Sequence, residues 1–390
     1  MPERFAYLEQ GKLRLRAGRT GVTLESEFGR SLRERAAQIQ HRHAWKTQGR
    51  GAQFMTGMLW PEQTDDPSGF RIAITSVAQG RNPGELLYSL ETNEVSGIFA
   101  VDAKGVEQRL FHTADFRVRH LALSADGSSI AASIFHNPLT SNIAVMQAEG
   151  TNLLMATEGD SCDLAPRWAP GPGRHLVFQS AGVGRDVAGR VCGLGPFAVQ
   201  ELDLDSGEME VLAEEADCDL LGPQKAGDGA LYYIRRPHRT GKEKMSPWVA
   251  LRDALLFPFR MAYAVFQFFN FFSMRYTGKP LSTPRGAGKR QLDVKQMMVW
   301  GNLIDAGSAA QQDGLADPEA PSLVPLSWQL VRQAPGGRKE VLAKGVLSFD
   351  IAEDGSLLYS NGSAIHRIAP GGGQAERILV GRMIEQVTAL

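Results

Sequence analysis

One phrase recurs along the chain and limits its fold more than any other feature. A small turn, usually carrying Asp-Gly, leads into an apolar strand, then an edge strand, then a Gly-rich hairpin. It reads ALSADGSSIAASIFHNPLTSNIAVMQAEGTNLL from Ala122, RWAPGPGRHLVFQSA from Arg167, KAGDGALYYIRR from Lys225 and IAEDGSLLYSNGSAIHRIAPGG from Ile351. Repetition at a period of roughly 40–50 residues, with strands and turns in every unit, is the signature of a β-propeller. A chain of 390 residues exceeds one ordinary core, but a radially repeated sheet carries that length as one unit. The 42 Gly and 20 Pro suit a chain dense in hairpin turns.

The strands group in fours. Arg71–Ser76, Leu86–Leu90, Ile98–Val101 and Glu107–His112 make one unit, and Leu121 to about Met155 the next. Leu164 to about Leu212 makes a third, its outer strands Ala198–Leu204 and Glu210–Leu212 joined by the turn Asp205-Ser-Gly-Glu. A fourth starts at Leu220 and runs through Leu231–Ile234, with outer strands only at Trp328–Arg332 and Glu340–Leu342. A fifth runs from Leu347 to about Leu379. The ends supply a lone strand, Ile384–Ala389, and three more, Phe5–Leu8, Lys12–Arg16 and Val22–Glu25. One plus three makes a blade. The expectation is an all-β, six-bladed propeller over residues 1–390, closed by a composite blade from both termini, so that no sheet keeps a long open edge.

The repeat resembles the TolB-type propeller repeat, which is WD40-like (PD40). The residues that carry the likeness are Ser124-Ala-Asp126-Gly127, Ile130-Ala131, Asn142-Ile143-Ala144-Val145-Met146 and Gly150, then Pro166-Arg-Trp168-Ala-Pro170 with Leu176-Val-Phe178-Gln-Ser180. Ala125 stands where the repeat usually has Pro, and the second unit has Gly-Pro-Gly in place of Asp-Gly. The resemblance implies a binding module of a larger assembly, or the propeller half of a peptidase. The second option needs a G-x-S-x-G elbow on an α/β-hydrolase domain of about 200 residues. Neither is present, and Ser128, Ser129 and Ser363 lie in repeat turns.

Two insertions decorate the expected ring. In Ser26–Trp60, Phe28, Leu32, Ala36, Ile39 and His43 recur at helical spacing, with Ser26 or Ser31 available to cap the start. This helix falls between blades one and two. Its other face carries Arg30, Arg33, Arg42 and Lys46, but a net charge of -1 gives no general attraction to nucleic acid. His41 and His43 point apart on a helix and have no third ligand nearby, so no metal is expected.

The second insertion, 236–325, splits the fifth blade, counted from the composite one. Between Ala254 and Met274 it holds Phe257, Phe259, Phe266, Phe268, Phe269, Phe271 and Phe272, with Arg260 as the single charge. The run nears the length of a membrane span, roughly 20 residues. Pro258, Arg260, Gln267 and Asn270 interrupt it, and the chain must return to the sheet it left. A helical segment on a protein partner, on its own ring or on a membrane surface fits better. Arg285, Lys289 and Arg290 form a basic loop without the G-x-x-x-x-G-K-[ST] phosphate pattern. Leu292–Ala306 reads as an amphipathic helix bearing Trp300, and Gly307–Pro325 as a polar, mobile linker.

Three cysteines without metal-ligand spacing, and an N-terminus without an apolar signal core, point to a reducing compartment, the cytoplasm. Glu214, Glu215, Asp217 and Asp219 form an acidic connection between blades and show no catalytic pattern. The expected role is a non-catalytic scaffold without cofactor that binds protein partners through its insertions. The opening blade with ESEFGRSLRERAAQIQHRHAWKTQGRGAQFM is similar to the propeller component of bacterial systems with a MoxR-type AAA+ ATPase and a von Willebrand A-domain protein. That likeness implies a recognition subunit of an ATP-dependent machine. Two other readings stay open: a peripheral protein of the inner membrane anchored by residues 254–274, and an enzyme or small-ligand binder using the channel.

Overall fold

The computed structural model describes residues 4–18, 20–47, 72–137, 139–238, 296–299, 302–305 and 319–390. Strands β1 (Arg4–Glu9), β2 (Lys12–Ala17) and β3 (Thr20–Leu24) precede helix α1 (Glu27–Thr47). Then come β4 (Ile72–Gln79), β5 (Leu86–Thr92), β6 (Ser96–Val101) and β7 (Glu107–Thr113). The next set is β8 (Arg117–Leu123), β9 (Ser129–Phe135), β10 (Ser141–Gln147) and β11 (Leu154–Met155). It is followed by β12 (Ser161–Trp168), β13 (His175–Arg185), β14 (Val191–Leu194), β15 (Ala198–Asp203) and β16 (Met209–Ala213). Beyond these lie β17 (Cys218–Lys225), β18 (Leu231–Pro237), β19 (Gln296–Val299), β20 (Asn302–Asp305), β21 (Gln329–Gln333) and β22 (Lys339–Lys344). The chain closes with β23 (Ser348–Ile351), β24 (Leu357–Ser360), β25 (Ala364–Ile368), β26 (Glu376–Val380) and β27 (Ile384–Ala389).

Antiparallel pairing sorts these into four-strand ladders: β27-β1-β2-β3, β4 to β7, β8 to β11, β12-β13-β15-β16, β17-β18-β21-β22 and β23 to β26. One parallel bridge, Ser141 to Cys162, joins the third ladder to the fourth. The composite ladder is as expected: β1 pairs with β27 over Phe5 to Ala389 and Glu9 to Ile384. The chain divides into two compact units, Met1–His238 with Ile304–Leu390, and Arg239–Leu303.

Burial explains the strand composition. β6, SGIFAV, is buried at every position, so it needs no polar alternation. The outer strands β7, β16, β22 and β26 are largely exposed and carry Glu107, Arg109, Glu210, Lys339, Glu340, Glu376 and Arg377. Charges on an edge discourage pairing with foreign strands. The apolar clusters lie between ladders. One unites Leu8 and Leu13 with Val77, Leu86 and Phe99, and another unites Val177 and Val199 with Leu220 and Tyr233.

Hydrogen bonds from one ladder to the next run round a closed circuit. Gln386 Nε2 donates to Val77 O at 2.8 Å, and Leu121 N to Ser76 Oγ at 2.9 Å. Ala165 N donates to Ser133 Oγ at 3.1 Å, and Gly222 N to Gln179 Oε1 at 2.7 Å. Gln224 Nε2 donates to Phe349 O at 3.2 Å, and Ala389 N to Asp350 Oδ2 at 2.9 Å. Three innermost strands share a bulge at one left-handed residue: His120 (φ 55), Ala165 (φ 53) and Gly222 (φ 56). The bulge turns a backbone amide toward the neighbouring ladder, that of Leu121 in the first strand and those of Ala165 and Gly222 themselves in the other two.

Two corrections follow for the second insertion. The segment read as one amphipathic helix over 292–306 contains two paired strands, β19 and β20. Its apolar pattern suits either period, but Gly301-Asn302 interrupts a helix and marks a reversal. The expected mobile linker is packed at its C-terminal end. Ala320, Ser322 and Val324 are buried, and Ser322 Oγ donates to Val324 O at 2.7 Å. Small residues there fill a crevice; they do not mark a free spacer.

The turns make stability acid-sensitive. Ser124 and Ser128 hydroxyls and the Ser128 amide hold Asp126 down to about 2, and similar bonds lower Asp203, Asp228 and Asp354. Each folded carboxyl releases its proton more readily than the unfolded one. Its contribution is present above the ordinary carboxylate value and lost as pH falls through the folded value. His120 adds an earlier loss. Burial, then Arg119 and Arg167, hold its imidazole at about 3 against the ordinary 6.5. Below 6.5 the unfolded chain takes a proton that the fold refuses, so stability falls from that pH downward. Denaturant midpoints measured against pH should therefore decline between pH 6.5 and about 4 in the wild type and stay flatter in His120→Asn. Equal slopes in the two proteins would remove His120 from this account.

Candidate interaction face

In an antiparallel four-strand ladder, successive connections alternate between the two ends. One face of the ring therefore receives the first-to-second and third-to-fourth turns. These are short everywhere: 80–85, 102–106, 124–128, 169–174, 226–230, 334–338 and 352–356 are examples. The opposite face receives the second-to-third loops and the crossings between ladders. All the long departures leave from that face: 25–71 after β3, 186–197 between β13 and β15, and 238–328 between β18 and β21.

The first departure is fixed by its opening turn. Ser26 Oγ accepts Gly29 N at 3.0 Å, as the Ser26 cap predicts. Glu107, on the outer strand of the second ladder, accepts Glu27 N at 2.9 Å and Phe28 N at 3.0 Å. The Tyr88 hydroxyl also donates to Glu107; burial and that carboxylate raise the phenol well above its ordinary value. Phe28 packs on Phe99 with ring centres 5.1 Å apart, and Gly29 is buried where a Cβ would meet Ile72 at 3.2 Å. Leu32 and Ala36 continue the half-buried stripe, and Arg30, Arg33 and Arg35 are exposed. The Glu107 cap leaves no local trace in the sequence, because 80 residues separate it from Glu27. Replacing Glu107 by Ala should cost about 1–2 kcal/mol and speed amide exchange in α1 before the ring opens. Unchanged exchange in α1 would show that its packing alone holds it.

The second departure is an arm. β13 runs past its ladder, and β14 folds back on it through Val183 to Leu194 and Arg185 to Val191. Asp186 Oδ1 accepts Ala188 N and Arg190 N, both at 2.9 Å, closing the tip with Gly189 at φ 77. Arg185, next to the tip, is held by Asp160 at 2.5 and 2.8 Å. Val187 and Val191 are exposed, and so is the free Cys192; Cys162 and Cys218 are free and buried.

The third departure is rooted in a buried charge cluster. Asp219 and Arg236 are each 2 % exposed at the side chain, and Arg236 Nε donates to Asp219 Oδ2 at 2.8 Å. His238 Nδ1 lies 2.7 Å from Asp219 Oδ1, which also accepts Phe197 N at 3.2 Å. The Arg236 guanidinium lies 4.9 Å from the ring centre of Trp328. Phe197 ends the arm, Arg236 and His238 begin the excursion, and Trp328 ends it. One carboxylate therefore ties the roots of two insertions. Sequence reasoning placed Asp219 in an acidic connection between blades; its signal was its position as second residue of a strand, beside Cys218.

The sequence-predicted contact residues Phe257, Phe259, Phe266, Phe268, Phe269, Phe271, Phe272, Arg285, Lys289, Arg290 and Trp300 lie outside the described residues. The turn serines serve the fold: Ser128 Oγ donates to Asp126 Oδ1 at 2.9 Å and Ser363 Oγ to Pro321 O at 2.6 Å. Among the described residues no cluster of His, Cys, Asp or Glu suits a metal ion. No helix among them is long and apolar enough to cross a membrane.

No protein-family model matches the chain. No curated protein matches it in sequence. Solved structures do. TolB from Acinetobacter baumannii superposes with a TM-score of 0.50 at 12% identity, over 99% of this chain and 66% of that one. The chain folds as a TolB-like β-propeller. A chain of the nidogen/laminin complex superposes with a TM-score of 0.51 at 10% identity, over 99% of this chain and 98% of the other. At such identities the likeness concerns the fold alone. This TolB-like propeller spans about two thirds of the Acinetobacter protein.

Proposed function

We propose that this propeller is a non-catalytic, cytoplasmic scaffold that recognises protein partners with its decorated face. The observation that carries the reading is the one-sidedness of its insertions: α1, the arm and both roots of the long excursion leave from the same side of the ring. Long loops on a rigid frame are where binding concentrates. Exposed Val187 and Val191 on the arm add apolar contact area. Free cysteines fit a reducing compartment. A protein complex among the similar structures supplies a precedent for a propeller that binds protein.

At the finer level, the partners are a MoxR-type AAA+ ATPase and a von Willebrand A-domain protein, with the ATPase chemistry in the other chain. The test is co-purification with those two proteins. Three baits are compared: wild type, a variant with the arm cut back to Gly182–Gly195, and one with 239–318 replaced by a Gly/Ser linker. Each variant should keep the thermal transition of the ring and lose the partners. Retention of both partners by both variants would defeat the reading. Loss of sedimentation with anionic vesicles on removing 239–318 would favour the membrane-surface alternative.

A further inference from the structure

Arg167 sits on β12, near the end of the innermost strand that meets the short turns. Its side chain is 26% exposed, and its guanidinium reaches past β17 to Asp350 on β23. The contact is loose: Nη2 lies 3.5 Å from Asp350 Oδ1. Asp350 already accepts Ala389 N through Oδ2 at 2.9 Å. Among the described residues the guanidinium makes no hydrogen bond. Some arginines of the ladders are held more closely: Arg119 gives Glu91 two bonds, at 2.7 and 3.0 Å, and Arg235 gives Glu215 one at 2.7 Å. A guanidinium carries five N–H donors, and Asp350 engages this one only at 3.5 Å, so donors are left over for a further acceptor.

The wall beside it has room. At the shared bulge position, β8 carries the imidazole of His120, β12 only the methyl of Ala165, and β17 no side chain at all. A Cβ built on Gly222 would meet nothing within 4 Å. Side-chain volume thus shrinks to nothing around the arc next to Arg167. The local field is positive. Arg119 and Arg167 both act on His120, and its imidazole is neutral at ordinary pH. The opposing charges are Glu91, held by Arg119, and Asp350.

We propose that the channel wall around Arg167 binds a small oxyanion, such as a carboxylate or a phosphate ion, which takes the guanidinium donors that Asp350 holds only at a distance. A bidentate oxyanion matches the fork of an arginine. Asp350 competes for the same guanidinium, so binding is moderate and tightens when that competitor is neutralised. The inference does not depend on the scaffold reading, since it concerns the channel and not the decorated face.

The test titrates the full chain, labelled at histidine, with sodium phosphate and separately with sodium acetate at constant ionic strength. His120 ring resonances are assigned by their absence in His120→Asn. The expected result is a saturable shift of those resonances with one or both anions in the millimolar range, and a matching rise in thermal midpoint. Which anion saturates first distinguishes a phosphate from a carboxylate ligand. Arg167→Gln should abolish the saturation, Arg167→Lys should weaken it, and Asp350→Asn should tighten it by about fivefold. Should Arg167→Gln not fold, Asp350→Asn and Arg167→Lys still decide. Linear, unsaturated shifts in the wild type, identical curves in Arg167→Gln, or no tightening in Asp350→Asn would each overturn the proposal.

Discussion

Replacing Asp219 by Ala should lower the unfolding free energy of the ring by about 3–5 kcal/mol, because it strips a buried guanidinium of its carboxylate. Arg236 loses an acceptor at 2.8 Å, and Phe197 N loses one at 3.2 Å. Asp219→Asn keeps one acceptor oxygen and should cost less, about 1–3 kcal/mol. A double change, Asp219→Leu with Arg236→Met, removes both charges and should recover much of the loss, since a buried pair is worth little more than apolar packing of the same shape. Denaturant unfolding measures all three. Limited proteolysis adds the local readout: cleavage near 182–197 and near 238 should quicken in Asp219→Ala before global unfolding. A loss below about 1 kcal/mol would mean that the roots of the insertions are held by packing alone.

The second large effect concerns the last strand. Removing Ile384–Ala389 takes away the innermost strand of the composite ladder. Ile384 and Val387, both 0% exposed, leave the cluster they share with Phe5, Tyr7, Leu358 and Ile365. Each such side chain contributes about 1.5–3 kcal/mol by burial. The same cut removes Gln386 Nε2 to Val77 O at 2.8 Å and the bond from Ala389 N to Asp350 at 2.9 Å. The combined loss is of the order of the whole stability of an ordinary domain, about 5–15 kcal/mol. The truncated chain should give no cooperative unfolding transition and should associate through the bared edge of β1. A synthetic peptide covering 382–390, added during refolding, should restore the transition in part. A monomer with an unchanged midpoint would show that the ring does not need its closing strand.

The ladders and the composite closure were legible because repetition and alternating burial leave a trace in residue order. Phe5 and Tyr7, which share a cluster with Ile384 and Val387, belong to short alternating runs that read as strands at both termini. The first helix was legible for the same reason, through Phe28, Leu32 and Ala36. What escaped was encoded in neighbours distant along the chain. Glu107 caps a helix from the next ladder, and Asp219 is buried only because Arg236 and His238 meet it. The arm escaped for a different reason: VGRDVAGRVCGLG has few apolar residues to alternate, and its strands are fixed by Asp186 and Gly189 at the tip. Over 292–306, Met297, Met298, Leu303 and Ile304 fit a helical stripe as well as a hairpin, and Gly301 was the residue that should have decided it. Arg167 could not be singled out at all, since only the ring places it opposite Asp350.

The pairing of β1 with β27 also sets a clock. Glu9 finds Ile384 only after the intervening chain has been synthesised, which at about 5–20 residues per second takes roughly 20–75 seconds. Through that interval the apolar flank of β1 has no native neighbour on one side. Phe5 and Tyr7 must be shielded from other nascent chains, so the cell's supply of holding chaperones, more than the intrinsic speed of any hairpin, should govern the yield of correctly closed rings.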